Sequence, residues 1–126
     1  MTPTNVALWT AQGLLAAVFL LAGVLKLTRP HDQLSEQLGW PGDYSTGLVR
    51  FVGLVEVLGA LGLILPGVTA IATVLVPWAA VGLAVEQAGA ITVHVRRKEP
   101  QAIIANIVLV AVAAFVAWGR FGEYPL

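Results

Sequence analysis

The chain has 126 residues, of which 58% are hydrophobic and only 11% charged, with a formal net charge of zero. Soluble domains carry about 25% charged residues, and one of this size could not bury so much apolar surface, so the composition excludes a soluble globular protein. Balanced charge gives no footprint for nucleic acid, and the absence of cysteine excludes disulfides, thiolate metal sites and CxxC redox chemistry.

The first apolar run, Val6 to Leu27, is long enough to cross a bilayer. The residues before it lack the basic region of a signal peptide, so it reads as a retained span rather than a cleaved leader. Gln12 lies near its start and Lys26 at its end, with Gly13 and Gly23 as expected contact points. Thr28 and Pro30 break the helix. The polar stretch Arg29 to Thr46 follows, in which Leu34, Leu38 and Trp40 form one apolar side of a short interfacial helix. Gly39, Pro41 and Gly42 end that helix, and Trp40 and Tyr44 suit the headgroup level.

The second span, Gly47 to Leu65, carries Glu56 in its middle, surrounded by Gly53, Gly59, Ala60 and Gly62. A carboxylate at that depth is costly, and small residues allow close backbone approach, so this face should point into a bundle rather than into lipid. Pro66-Gly67 predicts a tight turn. The third span, Thr69 to Thr92, holds Pro77, Trp78, Glu86 and Gln87, and Pro77 should kink it. Trp78, Gly82, Glu86, Ala90 and His94 fall on one helical stripe. After the basic loop Arg96 to Lys98, the fourth span, Gln101 to Gly119, has Asn106 as its only internal polar residue. The expected fold is all-α, one integral membrane domain: a four-helix antiparallel bundle with a short interfacial segment between its first two spans.

Lys26, Arg29, Arg50, Arg96, Arg97 and Lys98 lie in or beside the loops after spans one and three, against Arg120 alone on the opposite side. The positive-inside rule then places those loops in the cytoplasm and both termini outside the cell (inner) membrane. On that topology Lys26, Arg50, Glu86, Gln87, His94 and Asn106 share the cytoplasmic half, with Glu56 just above them. They are the candidate lining of one pocket, since ionisable groups within a membrane are functional-site hypotheses by default.

Each also has a structural reading. Glu56 could pair with Lys26 or Arg50 and lock helices together, Lys26 could snorkel to the interface, and Asn106 could be an interhelical hydrogen bond. Arg96 to Lys98 is most simply a topology and anionic-lipid patch, and Trp78 a belt aromatic.

FLLAGVLKL at Phe19 to Leu27 and VGLVEVLGALGLILPG at Val52 to Gly67 resemble the DoxX-like family of small four-helix membrane proteins. The shared pattern falls on Phe19, Ala22, Gly23, Lys26 and Leu27, then Gly53, Glu56, Gly59, Gly62 and Leu63, with His94 near the end of the third helix. The resemblance implies this fold and, for function, quinone-linked or other membrane oxidoreductase complexes. Two functions are carried forward. In the first, the chain is a non-enzymatic subunit or partner of an oxidoreductase, binding a quinone or other lipophile and holding no cofactor of its own. In the second it is an acid–base enzyme, an isomerase or hydrolase, acting on a lipophilic epoxide or ketone of terpenoid, steroid or polyketide type. Glu56 and Glu86 would then serve as acid and base and His94 as proton relay, with Lys26, Arg50, Trp78, Gln87 and Asn106 around the substrate. Expected partners are membrane lipid, the lipophile, an oxidoreductase subunit and further copies of the chain. A transporter or proton channel is a weaker third reading that would require such copies.

Overall fold

The computed structural model describes residues 2–126, which form five α-helices and one 3₁₀ turn. Helix α1 spans Pro3–Thr28, α2 His31–Leu38, α3 Thr46–Thr69, α4 Leu75–Arg96 and α5 Pro100–Phe121, with the 3₁₀ turn at Trp40–Asp43. All but α2 are long and apolar enough to cross a membrane.

Local chemistry sets most of the ends. Thr2 caps α1 by accepting from the Asn5 amide at 3.1 Å, ahead of Pro3 in the first turn. Arg29, forced extended by the proline that follows it, stops α1. Ser45 caps α3 through the Leu48 amide at 3.2 Å, and Pro100 opens α5. The expected turn at Pro66-Gly67 is not where the second span ends. Helix α3 runs through Pro66 to Thr69, and the reversal falls at Ala70, in the left-handed region. A proline inside a helix forfeits one backbone hydrogen bond without ending it, and here a side chain from α1 bonds the adjacent turn: Gln12 Nε2 donates to the Leu63 carbonyl at 2.7 Å. The reversal after α3 also delays α4, whose first residue is Leu75 rather than Thr69.

The four long helices form a ring in which α1 packs on α3, α3 on α4, α4 on α5 and α5 back on α1. Closest approach comes where α1 crosses α3. A Cβ added to Gly23 would sit 2.7 Å from the Gly53 carbonyl oxygen, and one added to Gly53 would sit 2.8 Å from the Lys26 Cβ. Only glycine allows that backbone contact. The interior is divided along its length. Polar groups occupy the end that carries α2, a second polar cluster occupies the far end, and between them lie Leu15, Phe19, Ala60, Leu63, Leu83 and Val116, all buried. The outer face is apolar, with Leu14, Leu21, Phe51, Leu58, Val85 and Ile104 exposed, as lipid contact requires.

Candidate functional site: a polar pocket at one end of the bundle

Side chains on a helix lean toward its N-terminus. Helix α1 has its N-terminus at the far end, so Lys26 leans inward from the α2 end. Helix α3 starts at the α2 end, so Glu56, one turn deeper, leans back toward it. The glycine crossing brings the two together, with Lys26 Nζ 2.7 Å from Glu56 Oε1 and side chains only 11% and 3% exposed. The contact is an ion pair held away from bulk water. The same rule joins α4 to α5: Gln87 leans inward, Asn106 leans outward, and Asn106 Nδ2 donates to Gln87 Oε1 at 2.5 Å. Gln87 Nε2 in turn donates to Glu86 Oε2 at 2.7 Å.

These groups line one cavity of about 260 Å³. Lys26, Glu56, Glu86, Gln87 and Asn106 form its inner wall, and His94 belongs to the same lining. Trp40 and Tyr44 reach it from the interfacial segment, edge-to-face with ring centroids 6.1 Å apart, and Lys26 Nζ lies 6.0 Å from the Trp40 ring centroid. Leu48, Val52 and Val93 add an apolar side. Two carboxylates therefore share one ammonium in a small, mixed cavity, which suits a molecule with an apolar body and a compact polar head.

The interfacial segment is strapped across this end. Arg97 Nη1 donates to Asp43, and its Nε donates to Glu99 Oε1 at 3.2 Å. His94 Nδ1 lies 2.9 Å from the same Glu99 oxygen. That His94 hydrogen bond, with the Arg97 charge behind it, holds the Glu99 carboxyl below its ordinary value, and the Asp43 contact raises Arg97 above its own. Gly39, at φ 82°, fits under the strap: a Cβ there would be strained and would meet Arg97 Nη2 at 2.7 Å.

Two residues expected at the pocket are placed elsewhere. Arg50 turns to the end of α1, where its Nη1 donates to the Lys26 carbonyl, one of the terminal helix carbonyls that lacks a backbone donor. Trp78, although on the Glu86 stripe, is 58% exposed and stands some two turns nearer the far end, edge-to-face with Phe121 at 5.2 Å. A stripe shared along a helix does not imply a shared depth, because it extends about 1.5 Å per residue.

The far-end cluster was not anticipated. Arg120 is 3% exposed. Its Nε donates to Gln12 Oε1 at 2.7 Å, and its Nη1 donates to Asn5 Oδ1 at 2.6 Å and to the Tyr124 carbonyl at 3.0 Å. The guanidinium also lies 5.4 Å from the Trp9 ring centroid. A polar Gln12 inside the first span was the available signal, but nothing in the sequence joins it to a residue at the other end of the chain.

The fold and site define a class: a polytopic membrane protein built as a four-helix bundle, with a charged pocket near one membrane face. The sequence pattern of the DoxX-like family matches residues 10–116, and the chain belongs to that family. No curated protein and no solved structure matches it.

Proposed function

We propose that the protein is a membrane-embedded lipophile-binding subunit that takes the ring and polar head of a quinone-type molecule and works beside an oxidoreductase. The supporting observation is the cavity itself, in which Glu56, Glu86, Lys26, Gln87 and Asn106 converge beneath the rings of Trp40 and Tyr44. Its volume of about 260 Å³ suits a single ring with its substituents, leaving an isoprenoid tail to lie among the exposed leucines of the outer face. In this reading Trp40 and Tyr44 stack on the ring, and Lys26 and the two amides hold its oxygens. On this reading the α2 end, and so the pocket, faces the cytoplasmic side of the inner membrane with both termini outside, the orientation that the positive-inside rule favours for these basic loops. Further copies of the chain, or the partner subunit, cover part of the apolar outer face.

A second reading rests on one observation. Glu86 lines the cavity yet forms no ion pair among the described residues, whereas Glu56 is neutralised by Lys26. Carboxyls in such unequal surroundings suit an acid and a base acting on a lipophilic epoxide or ketone, with His94 passing protons to the surface.

The test is a native mass spectrum of the protein extracted gently from its own membrane. A stoichiometric quinone or a retained redox subunit supports the first reading. A different lipophile held by the chain alone supports the second. Phospholipid as the sole bound species refutes both.

A further inference from the structure

The hydrogen bonds of the inner wall have a direction, and Glu86 sets it. An ionised carboxylate only accepts. Gln87 must therefore turn its Nε2 toward Glu86, which it does at 2.7 Å, and this commits its Oε1 to accept from Asn106 Nδ2 at 2.5 Å. The chain ends at Asn106, which lines the cavity and is 8% exposed, and whose Oδ1 has no partner. These amide orientations are the ones an ionised Glu86 requires, since an acceptor-only carboxylate must face an amide N–H. Among the described residues, Asn106 Oδ1 is the polar atom of the inner wall left without a partner, and it is an acceptor, whereas Glu56 Oε1 is held by Lys26. A ligand that satisfies it must bring a donor.

A protonated Glu86 carries one O–H donor, and turning that hydroxyl on Gln87 reverses every bond in the chain. Its hydroxyl would donate to Gln87 Oε1, Gln87 Nε2 would donate to Asn106 Oδ1, and Asn106 would offer its Nδ2 instead. Each amide turns half a revolution about its last torsion and the backbone stays in place. We propose that Glu86, Gln87 and Asn106 form a relay that makes the pocket read the hydrogen-bonding polarity of its ligand's head. With Glu86 ionised the site takes the hydroxyl-bearing, hydroquinone form, and with Glu86 protonated it takes the carbonyl-bearing, quinone form. This rests on the lipophile-binding reading above and adds to it which redox form is held and when.

The groups around Glu86 come from every wall. Lys26 of α1 and Glu56 of α3 are its charged neighbours, Tyr44 belongs to the interfacial segment, His94 lies two turns along α4, and α5 contributes the neutral Asn106. Histidine is the side chain that ordinarily changes charge near neutrality, so the His94 variant is the control.

The experiment uses the full chain in lipid nanodiscs without oxygen, with decylubiquinone and decylubiquinol as probes and tryptophan quenching as the readout, from about pH 5 to about pH 9. A mismatched buried hydrogen bond weakens binding by about tenfold. The expected result is a quinol preference of that size at the alkaline end that falls and inverts toward the acid end. Glu86→Gln should remove the pH dependence of the preference, and His94→Gln should keep it. A wild-type preference that is constant with pH overturns the relay, and needs no variant to be measured. So does a pH dependence that survives Glu86→Gln or vanishes in His94→Gln. If neither probe binds at any pH, the quinone-binding reading itself falls, an outcome distinct from equal binding of both.

Discussion

Replacing Lys26 by methionine should be among the most damaging single changes in the protein. The Lys26 and Glu56 side chains are 11% and 3% exposed and 2.7 Å apart, so neither is screened by bulk water. Removing the ammonium strands Glu56 inside the bundle, facing Glu86 across the same cavity. Stranding one charge of a buried pair costs about 3–5 kcal/mol. Glu56→Leu should cost less, because the lysine left behind sits in the last turn of α1, can extend toward the interface, and retains Trp40 and Glu86 as neighbours. The double variant Lys26→Met/Glu56→Leu should recover most of the loss, since an apolar pair of similar volume replaces an ion pair at little net cost. The assay is reversible unfolding in mixed micelles as the fraction of dodecyl sulfate rises, read as a double-mutant cycle. Single losses below about 1 kcal/mol that simply add in the double variant would refute the buried lock and return Lys26 to the role of a snorkelling residue.

Gly23→Ala should separate α1 from α3, since its Cβ would meet the Gly53 carbonyl at 2.7 Å; a loss of about 1–3 kcal/mol is expected in the same assay. Arg120→Met leaves Gln12 Oε1 and Asn5 Oδ1 without their donor, and about 1–3 kcal/mol should be lost with no change in ligand binding at the opposite end. The strap should respond to acid. The Glu99 carboxyl is held below its ordinary 4.5 by His94 and then Arg97, so its contribution is complete above that value and is lost as pH falls through the lower, folded one. Trp40 fluorescence should therefore change on acidification in wild type and less in Glu99→Gln, with global stability unaltered.

How much of this was legible in the sequence depended on distance along the chain. The bundle was legible because apolar length and breaking residues are local signals. The Lys26–Glu56 pairing was one of two partners expected for Glu56, because charges inside spans have few alternatives to each other. Arg50 lies nearly two turns nearer the start of α3, where a carbonyl of α1 needs a donor, and depth rather than charge decided its role. Trp78 was misplaced by the converse error, a helical stripe read without its length. Pro66 ordinarily signals an ending, but its cost is modest beside the packing of a span that continues past it. The Gln12–Arg120 contact joins the two ends of the chain and could be found only after the bundle closes.

The separation of the two polar clusters bears on the transporter reading. Between the Lys26–Glu56 pair and Gln12 the interior is closed by Leu15, Phe19, Ala60, Leu63, Leu83 and Val116, each nearly or fully buried. That stretch extends roughly 10 Å along α3 from Glu56 to Leu63. A proton crossing it would leave its last carboxylate without a hydrogen-bond partner for a distance at which a bare charge in low dielectric costs several kcal/mol even after relaxation. The pocket should therefore exchange protons and ligands with the α2 side alone. Liposomes carrying the purified protein, with a pH-sensitive dye inside, should hold an imposed pH gradient as long as protein-free vesicles do. Phe19→Ala, which opens the apolar layer beside the pocket, should raise the leak if the layer is the barrier. A wild-type leak abolished by Glu56→Gln would mean that the carboxylates face a continuous path, and the protein would then be read as a proton carrier instead of a one-sided binding site.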